Sequence, residues 1–348
     1  MDVSVVIPTY NRPGLLRQTI NSVLAQTVPS REIIIVDNGT NDETATLIRS
    51  TYGDAVTYLK VPPEGVQAAR NAGVAMANGA WIALLDDDDV WHRDYLDHVR
   101  PVIEDGRANL IYSNFRKFVE DPASGSTQPY PQTNFEMAPA GYWDGVPAPG
   151  DRTRWSFVGT FPPERLLRFV AFYPSAMTIH RDLLHRIRGF NREVVGIKSE
   201  DVEFTARALI AGQLAIVWLP LIDYRIHGAN SCAADWVSQA IGRWKIFEYI
   251  YARDGYGSEA FRRALEADLP KRRAKMFDQA WRHSRFTATD EIGAFLAPED
   301  WTWMRRLRLA VRTAPPPVRS AVMHCRQVLA DRWTSNETPS SAFMQPLG

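Results

Sequence analysis

The chain has only two cysteines in 348 residues, Cys232 and Cys325, which form neither a framework nor a CxxC pair, so a reducing compartment is the expectation. Long hydrophobic runs are also missing. The longest, LAIVWLPLI, is interrupted by Pro220 and falls far short of the roughly 20 residues a spanning helix needs. The first residues, MDVSVVIPTYNRPG, contain no basic stretch leading into a long apolar core, so no secretory signal is read there. No GxGxxG follows the first apolar run and no Walker-type loop occurs, which argues against a dinucleotide oxidoreductase or a P-loop enzyme. Internal repeats are absent. Net charge is absent overall, with 40 Lys and Arg against 40 Asp and Glu, but it is unevenly spread. From residue 233 onward there are 18 Lys and Arg against 13 Asp and Glu, so a basic C-terminal part follows a mildly acidic N-terminal one. The expectation is a cytoplasmic protein, able to sit peripherally on the inner membrane face, with no nucleic-acid partner.

What is present is a strand–helix alternation. VSVVIP, EIIIVD, VTYLKV, WIALLD and ANLIYSNF read as buried strands. A helix opening near Pro13 presents Leu15, Leu16, Thr19, Ile20, Val23 and Leu24 on one face. TNDETATLIRS begins with Thr40 and Glu43 in capping-box spacing, GVQAARNAGVAMANG reads as a small-residue helix closed by Gly79, and RDYLDHVRPVIE follows the fourth strand. Continuous apolar strands alternating with helices imply a mostly parallel α/β sheet covered on both faces, with ligands beyond the carboxyl ends of its strands. Residues 120–163 are rich in Pro, Gly, Ser and aromatics and read as an irregular segment that packs or binds. From about 235 the pattern is helical, broken at APPPV, with a tail after 334 that reads as disordered.

The stretch LLDDDDVWH poses a physical problem. Each close pair of carboxylates repels by roughly 4 kcal/mol at an effective dielectric of about 20. Either solvent in a surface turn or a bound cation would offset this. Asp86 and Asp88 are two apart, so side-chain alternation aims both to the same side where the strand conformation persists, and hard oxygen ligands suit Mg²⁺ or Mn²⁺. The run lacks the glycine and the later glutamate of an EF-hand loop. Trp91 is expected to pack under the following helix.

VSVVIPTYNR, VDNG, AARNAG, LLDDDDVW and SEDVEFTAR, in this order and spacing, resemble a family-2 glycosyltransferase of the GT-A fold, over roughly residues 2 to 230. The resemblance implies a mixed, mostly parallel Rossmann-like sheet and an inverting transfer of sugar from a nucleoside-diphosphate sugar, UDP- or dTDP-linked, to an acceptor hydroxyl. Pro8, Thr9 and Tyr10 would line the base pocket, and Asp37 or Asn38 would accept from the N3–H of a pyrimidine. Arg70 would approach the base or diphosphate, with Asn71 supporting its loop. Asp86 would face the ribose or metal, Asp87 would support the donor side, and Asp88 would hold the metal on the diphosphate, with His227 near it. Asp201 would be the base, and Glu200 would position it or contact the acceptor.

Read without the resemblance, SEDVEF is a helix start with Ser199 as N-cap and acids in the first turn. The chain departs from the family in carrying Asn38 where many relatives have a carboxylate, Arg188 where a double glycine is usual, and Arg93 in place of a common proline.

The expected organisation is a catalytic domain over 1–232, a helical region over 233–334 and a tail over 335–348. Surface polysaccharide or glycolipid synthesis is the expected context, with a sugar or a lipid-linked acceptor. A metal-dependent nucleotidyltransferase or phosphohydrolase, and a nucleotide-sugar-binding protein without turnover, are the competing readings. In WTWMRRLRLAVR, Trp303, Leu307, Ala310 and Val311 share one face, and Arg305, Arg308 and Arg312 another. Such a segment docks on anionic lipid, on the catalytic domain or on a second subunit of a homo-oligomer.

Overall fold

A computed structural model describes residues 1–120, 126–149, 154–226 and 236–313. The chain divides into two compact units, Met1–Asp235 and Trp236–Gly348. The first contains strands β1 (Val3–Thr9), β2 (Glu32–Asp37), β3 (Thr57–Lys60), β4 (Trp81–Leu84), β5 (Val90–Trp91), β6 (Leu110–Glu120), β7 (Thr127–Thr133), β8 (Trp155–Gly159), β9 (Met177–His180) and β10 (Leu214–Ile226). Its helices are α1 (Pro13–Leu24), α2 (Glu43–Leu47), α3 (Val66–Met76), α4 (Tyr95–Asp105), α5 (Arg181–Arg186) and α6 (Asp201–Ala211).

The strands form one sheet in the order β3-β2-β1-β4-β9-β6-β10-β5, with β7 added on β6 and β8 on β10. β3, β2, β1 and β4 run parallel; β1, β2 and β4 are buried almost throughout, as strands covered on both faces are, while β3 at the edge is half-buried to exposed. β9 then enters antiparallel between β4 and β6, while β10 is parallel to β6. The chain order reverses at β1, which has β2 on one side and β4 on the other. The crevice beyond their carboxyl ends is the switch point where doubly wound sheets place ligands.

Local chemistry explains where the elements begin and end. Pro13 opens α1, where a missing N–H is no loss. Trp91 stacks on Tyr95 of α4 with ring centroids 4.0 Å apart. The capping box at Thr40 does not form. Asn11, at φ +53°, donates to Thr40 Oγ1 and accepts from the Thr40 amide, so α2 starts only at Glu43. α3 ends at Met76 rather than at Gly79, whose role is close approach: a Cβ there would lie 2.8 Å from the Ser4 amide nitrogen. Pro220 sits in β10 at a register shift, the position a strand tolerates.

Within the segment expected to be irregular, β7 and β8 are strands. The β7 sequence TQPYPQT has two prolines and no apolar alternation; it pairs because β6 extends far enough to template it. The aromatics of this segment pack: Phe135 and Tyr142 are buried and, with Trp143, contact Phe161 and Phe172.

The second unit is helical, with α7 (Trp236–Tyr251), α8 (Glu259–Arg282), α9 (Phe286–Gly293) and α10 (Trp303–Thr313). Trp244, Phe247, Phe261, Phe277 and Trp281 are buried aromatics among its described residues, and Arg273 of α8 forms a two-bond ion pair with Glu248 of α7. The APPPV break, the helical pattern expected after it and the tail lie outside the described residues.

The turn before α6 is pinned to α3. Asn71 donates to the Phe190 carbonyl and accepts from its amide, both at 2.8 Å. Arg188 and Gly189 have φ of +59° and +63°, so the arginine stands in a left-handed conformation that glycine adopts more easily. A Cβ on Gly189 would lie 2.6 Å from Asn71 Oδ1. Gly189→Ala is therefore expected to destabilise the chain by about 2 kcal/mol, through φ strain and loss of the Asn71 clamp. Urea unfolding checks this, and an unchanged midpoint would contradict it.

Candidate active site

The four aspartates follow β4 at the switch point, and burial divides them in two. The Asp87 side chain is 2% exposed and Asp89 is 1% exposed, whereas the Asp86 and Asp88 side chains are 29% and 13% exposed. Asp86 and Asp88 thus share the accessible side, as their spacing predicts. Asp87 accepts from Thr9 Oγ1 at 2.6 Å and from Arg12, whose other terminal nitrogen lies 2.7 Å from Asp88. Asp89 accepts from the Arg225 amide at 3.0 Å, and Arg225 Nε donates to the Asp88 carbonyl. The Arg225 side chain also reaches Glu120 and Gln18. Ser175 Oγ accepts from the Asp86 amide at 3.1 Å.

These contacts answer the repulsion problem. Arginines on three separate elements enclose the cluster, and the two inner carboxyls resist ionisation. Burial pushes Asp87 up to about 7 against the pull of Arg12. Burial, then the charges of Asp88 and Asp86, push Asp89 well above the usual carboxylate range. For Arg12 burial opposes the charged form, but Asp87, Asp88 and Asp86 together raise its pKa.

Arg70, on α3, joins this cluster to the second acidic motif. Its side chain is 4% exposed, with one terminal nitrogen 2.7 Å from Asp86 and the other 3.9 Å from Glu200. The guanidinium lies over the Phe190 ring, and its Nε and Nη1 are buried without a hydrogen-bond partner. Glu200 is the N-cap residue of α6 and Asp201 its first residue, where the positive end of the helix favours carboxylates. Ser199 does not cap: it is in the left-handed region, at φ +63°. Burial, then the charge of Asp201, push Glu200 up to about 7 against the pull of Arg70. Glu203, in the same motif, is buried in a two-bond ion pair with Arg207 and braces the helix.

The remaining expected residues are spread out. Pro8 is buried in β1, while Tyr10 is 46% exposed beside the cluster. Asp37 is buried and holds its own surroundings, accepting from the Gly39 amide, Tyr58 Oη and Lys60 Nζ. Asn38 is buried with its amide on the Thr9 carbonyl. His227 lies outside the described residues.

Among the described residues no three His, Cys, Asp or Glu side chains are grouped as a metal cage. The accessible pair Asp86 and Asp88 fits a hard cation that takes one or two carboxylates and completes its shell with substrate phosphates and water. Arg12, Ser175 and Arg225 escaped the sequence reading. Arg12 has a local signal, since it follows β1 immediately; Ser175 and Arg225 reach the cluster only through tertiary packing.

Residues 4–153 match the model of glycosyl transferase family 2. An uncharacterized glycosyltransferase of Rickettsia prowazekii is 35% identical over 115 residues, which is 32% of this chain and 36% of that protein. The chain thus spans about a third of that relative's length. An uncharacterized glycosyltransferase of Nostoc is 27% identical over 300 residues, covering 80% of this chain and 84% of that one. Residues 1–349 of TarS from S. aureus, solved with UDP-GlcNAc, superpose with a TM-score of 0.57 at 14% identity, covering 85% of this chain and 84% of that one. A mannosyltransferase from Pyrobaculum calidifontis, solved with GDP-Man and Mn²⁺, superposes with a TM-score of 0.53 at 18% identity, over 97% and 88% of the two chains. At these identities the structures share the fold, which is GT-A. Residues 4–153 of the N-terminal unit thus match glycosyl transferase family 2, with five motifs in register on that fold.

Proposed function

We propose that the chain is an inverting glycosyltransferase that moves a sugar from a UDP- or dTDP-linked donor to the hydroxyl of a sugar or lipid-linked acceptor, in surface polysaccharide or glycolipid synthesis. The observation that carries this is Arg70. It draws Asp86 and Glu200, from motifs more than a hundred residues apart, onto one buried guanidinium beside the switch point. A phosphohydrolase needs the acidic cluster alone; a sugar acceptor needs a second carboxylate to receive its proton, and Asp201 stands next to Glu200.

In this reading Asp86 and Asp88 hold Mg²⁺ or Mn²⁺ together with the donor diphosphate. The cation, when bound, supplies Lewis-acid stabilisation of the leaving group's charge. Arg70 has two nitrogens without hydrogen bonds to offer an anionic ligand. Asp87 and Asp89, buried and braced by Thr9, Arg12 and Arg225, fix the strand end that carries the exposed pair. Asp201 takes the proton from the acceptor hydroxyl as the new C–O bond forms on the face opposite the leaving group. Glu200 positions that base.

Asp88→Asn is expected to abolish Mn²⁺-dependent UDP binding, because a neutral amide is a poor partner for a divalent cation, and Asp86→Asn to weaken it less. Calorimetry of UDP with and without Mn²⁺ reads this directly; full affinity in Asp88→Asn would remove the metal assignment. Asp201→Asn is expected to keep donor affinity and lose at least ~100-fold in transfer rate, the scale of losing a general base. Near-normal turnover would place the base elsewhere, with Glu200 next in line.

The partner reading rests on α10. Arg305 and Arg308 are both turned onto Asp278 of α8, so the basic face is the one already held. Trp303 and Met304 are left 70% and 42% exposed. No described helix is long and apolar enough to cross a membrane. An outward Trp and Met beside the exposed Arg306 suit the headgroup layer of an anionic bilayer, and we propose that α10 docks there. Trp303→Glu/Met304→Glu is expected to lose co-sedimentation with phosphatidylglycerol vesicles that the unaltered chain shows. Equal pelleting of the two, or none by either, would reject the docking.

A further inference from the structure

A second concavity in the first unit, of about 640 Å³, has no part in the site described above. It is walled by Asn114 and Arg116 of β6, Trp218 of β10, and Phe135, Glu136 and Trp143 of the segment after β7. The volume lies in the range of small-molecule pockets, and the lining pairs aromatic surface with a few polar groups. The indole N–H groups are already used: Trp143 donates to the Phe135 carbonyl and Trp218 to Ser156. These bonds hold the two indoles in place as aromatic walls.

Charge and hydrogen bonding narrow the ligand. Arg116 Nε is buried and has no hydrogen-bond partner among the described residues, so the pocket keeps a donor in reserve. Glu136 accepts from the Thr133 amide and hydroxyl through one oxygen. Asp144 also lines the space, so one cation faces two carboxylates, and an anionic ligand is disfavoured. Aromatic walls with mixed donors and acceptors and no net positive charge suit a neutral pyranose.

Side-chain packing also links the pocket to α6, the helix that begins at Asp201. Tyr112, Asn114 and Arg116 alternate along one face of β6, at roughly 7 Å per two residues. Tyr112 Oη is 3.3 Å from Thr205 Oγ1, and Thr205 is one helical turn beyond Asp201 on α6. Tyr112 stacks on Phe172, which in turn contacts Phe135 and Trp143. We propose that this pocket binds a neutral sugar unit of the acceptor, beyond the unit that carries the reacting hydroxyl. The acceptor is therefore a glycan chain rather than a single sugar. This rests on the glycosyltransferase reading.

An array of short neutral and acidic oligosaccharides, probed with the full chain, tests it. The unaltered chain is expected to capture neutral glycans of two or more units, and Trp143→Ala to lower that capture by about tenfold. Arg116→Gln, which keeps the aromatic walls, is expected to lower it as well, with an unchanged thermal transition. If Trp143→Ala fails to fold, Arg116→Gln alone decides. Capture of no neutral glycan, a preference for acidic ones, or a full profile retained in Arg116→Gln would overturn the proposal. UDP titration of the unaltered chain reads the donor assignment separately: glycan capture without UDP binding removes the donor reading and keeps the pocket, and UDP binding without glycan capture does the reverse.

Discussion

The structure depends on how four consecutive carboxylates are tolerated at the end of a buried strand. Solvent does not do it, because two of the four are almost fully enclosed. Instead Arg12 comes from the loop after β1, Arg70 from α3 and Arg225 from β10, and each takes a different part of the cluster. The two inner carboxyls are held where burial opposes their ionisation, which eases the repulsion within the cluster. Such an arrangement is rigid because it is expensive to disturb: breaking a buried ion pair from one side costs about 3–5 kcal/mol. The outer pair, Asp86 and Asp88, is thereby presented on a fixed base with its carboxylates within reach of a ligand.

Rigidity at this point organises the rest of the unit. Arg225 lies near the end of a strand of 13 residues, so tying its side chain to Gln18 and Glu120 fixes β10 against α1 and β6. Ser175, just before β9, holds the backbone of Asp86. Arg70 extends the same network to Glu200, and the Asn71 clamp on Phe190 holds the turn that leads into α6. The second acidic motif is positioned by neighbours of the first.

Much of this was legible in the sequence because it is local. The strand runs are continuous apolar segments, and Asp86 and Asp88, two apart, share the accessible side although β4 ends at Leu84 and the run lies in a turn. What was not legible is set by partners distant in sequence. Thr40 and Glu43 have the spacing of a capping box, but Asn11 competes for Thr40 and wins. Thr9 and Asp37 follow strands as ligand-facing residues do, yet both are enclosed by neighbours that satisfy them. β7 has no strand periodicity of its own, since an edge strand takes its conformation from the backbone it joins. Ser199 reads as a helix cap, but the turn enters α6 through a left-handed residue and leaves that place to Glu200.

β9 explains why the site is asymmetric. In a fully parallel sheet the switch point opens equally to both sides. Here an antiparallel strand stands between β4 and β6, and the residues before it, including Ser175, cover the cluster from that side. In the proposed reading the donor-side residues come from β1, β2, α3 and the run after β4, while the aromatic segment after β7 follows β6, on the far side of β9. The insertion thus separates two kinds of surface. One is charged and built of arginine–carboxylate pairs, which suits a diphosphate. The other, past Tyr112 and Phe172, combines aromatic walls with mixed polar groups, which suits a sugar ring. Glu200 and Asp201 stand at the boundary, with Arg70 facing one of them from the charged side and Tyr112 a helical turn away on the other. A reaction that joins a phosphorylated donor to a carbohydrate acceptor needs its proton acceptor at that boundary, and α6 begins there.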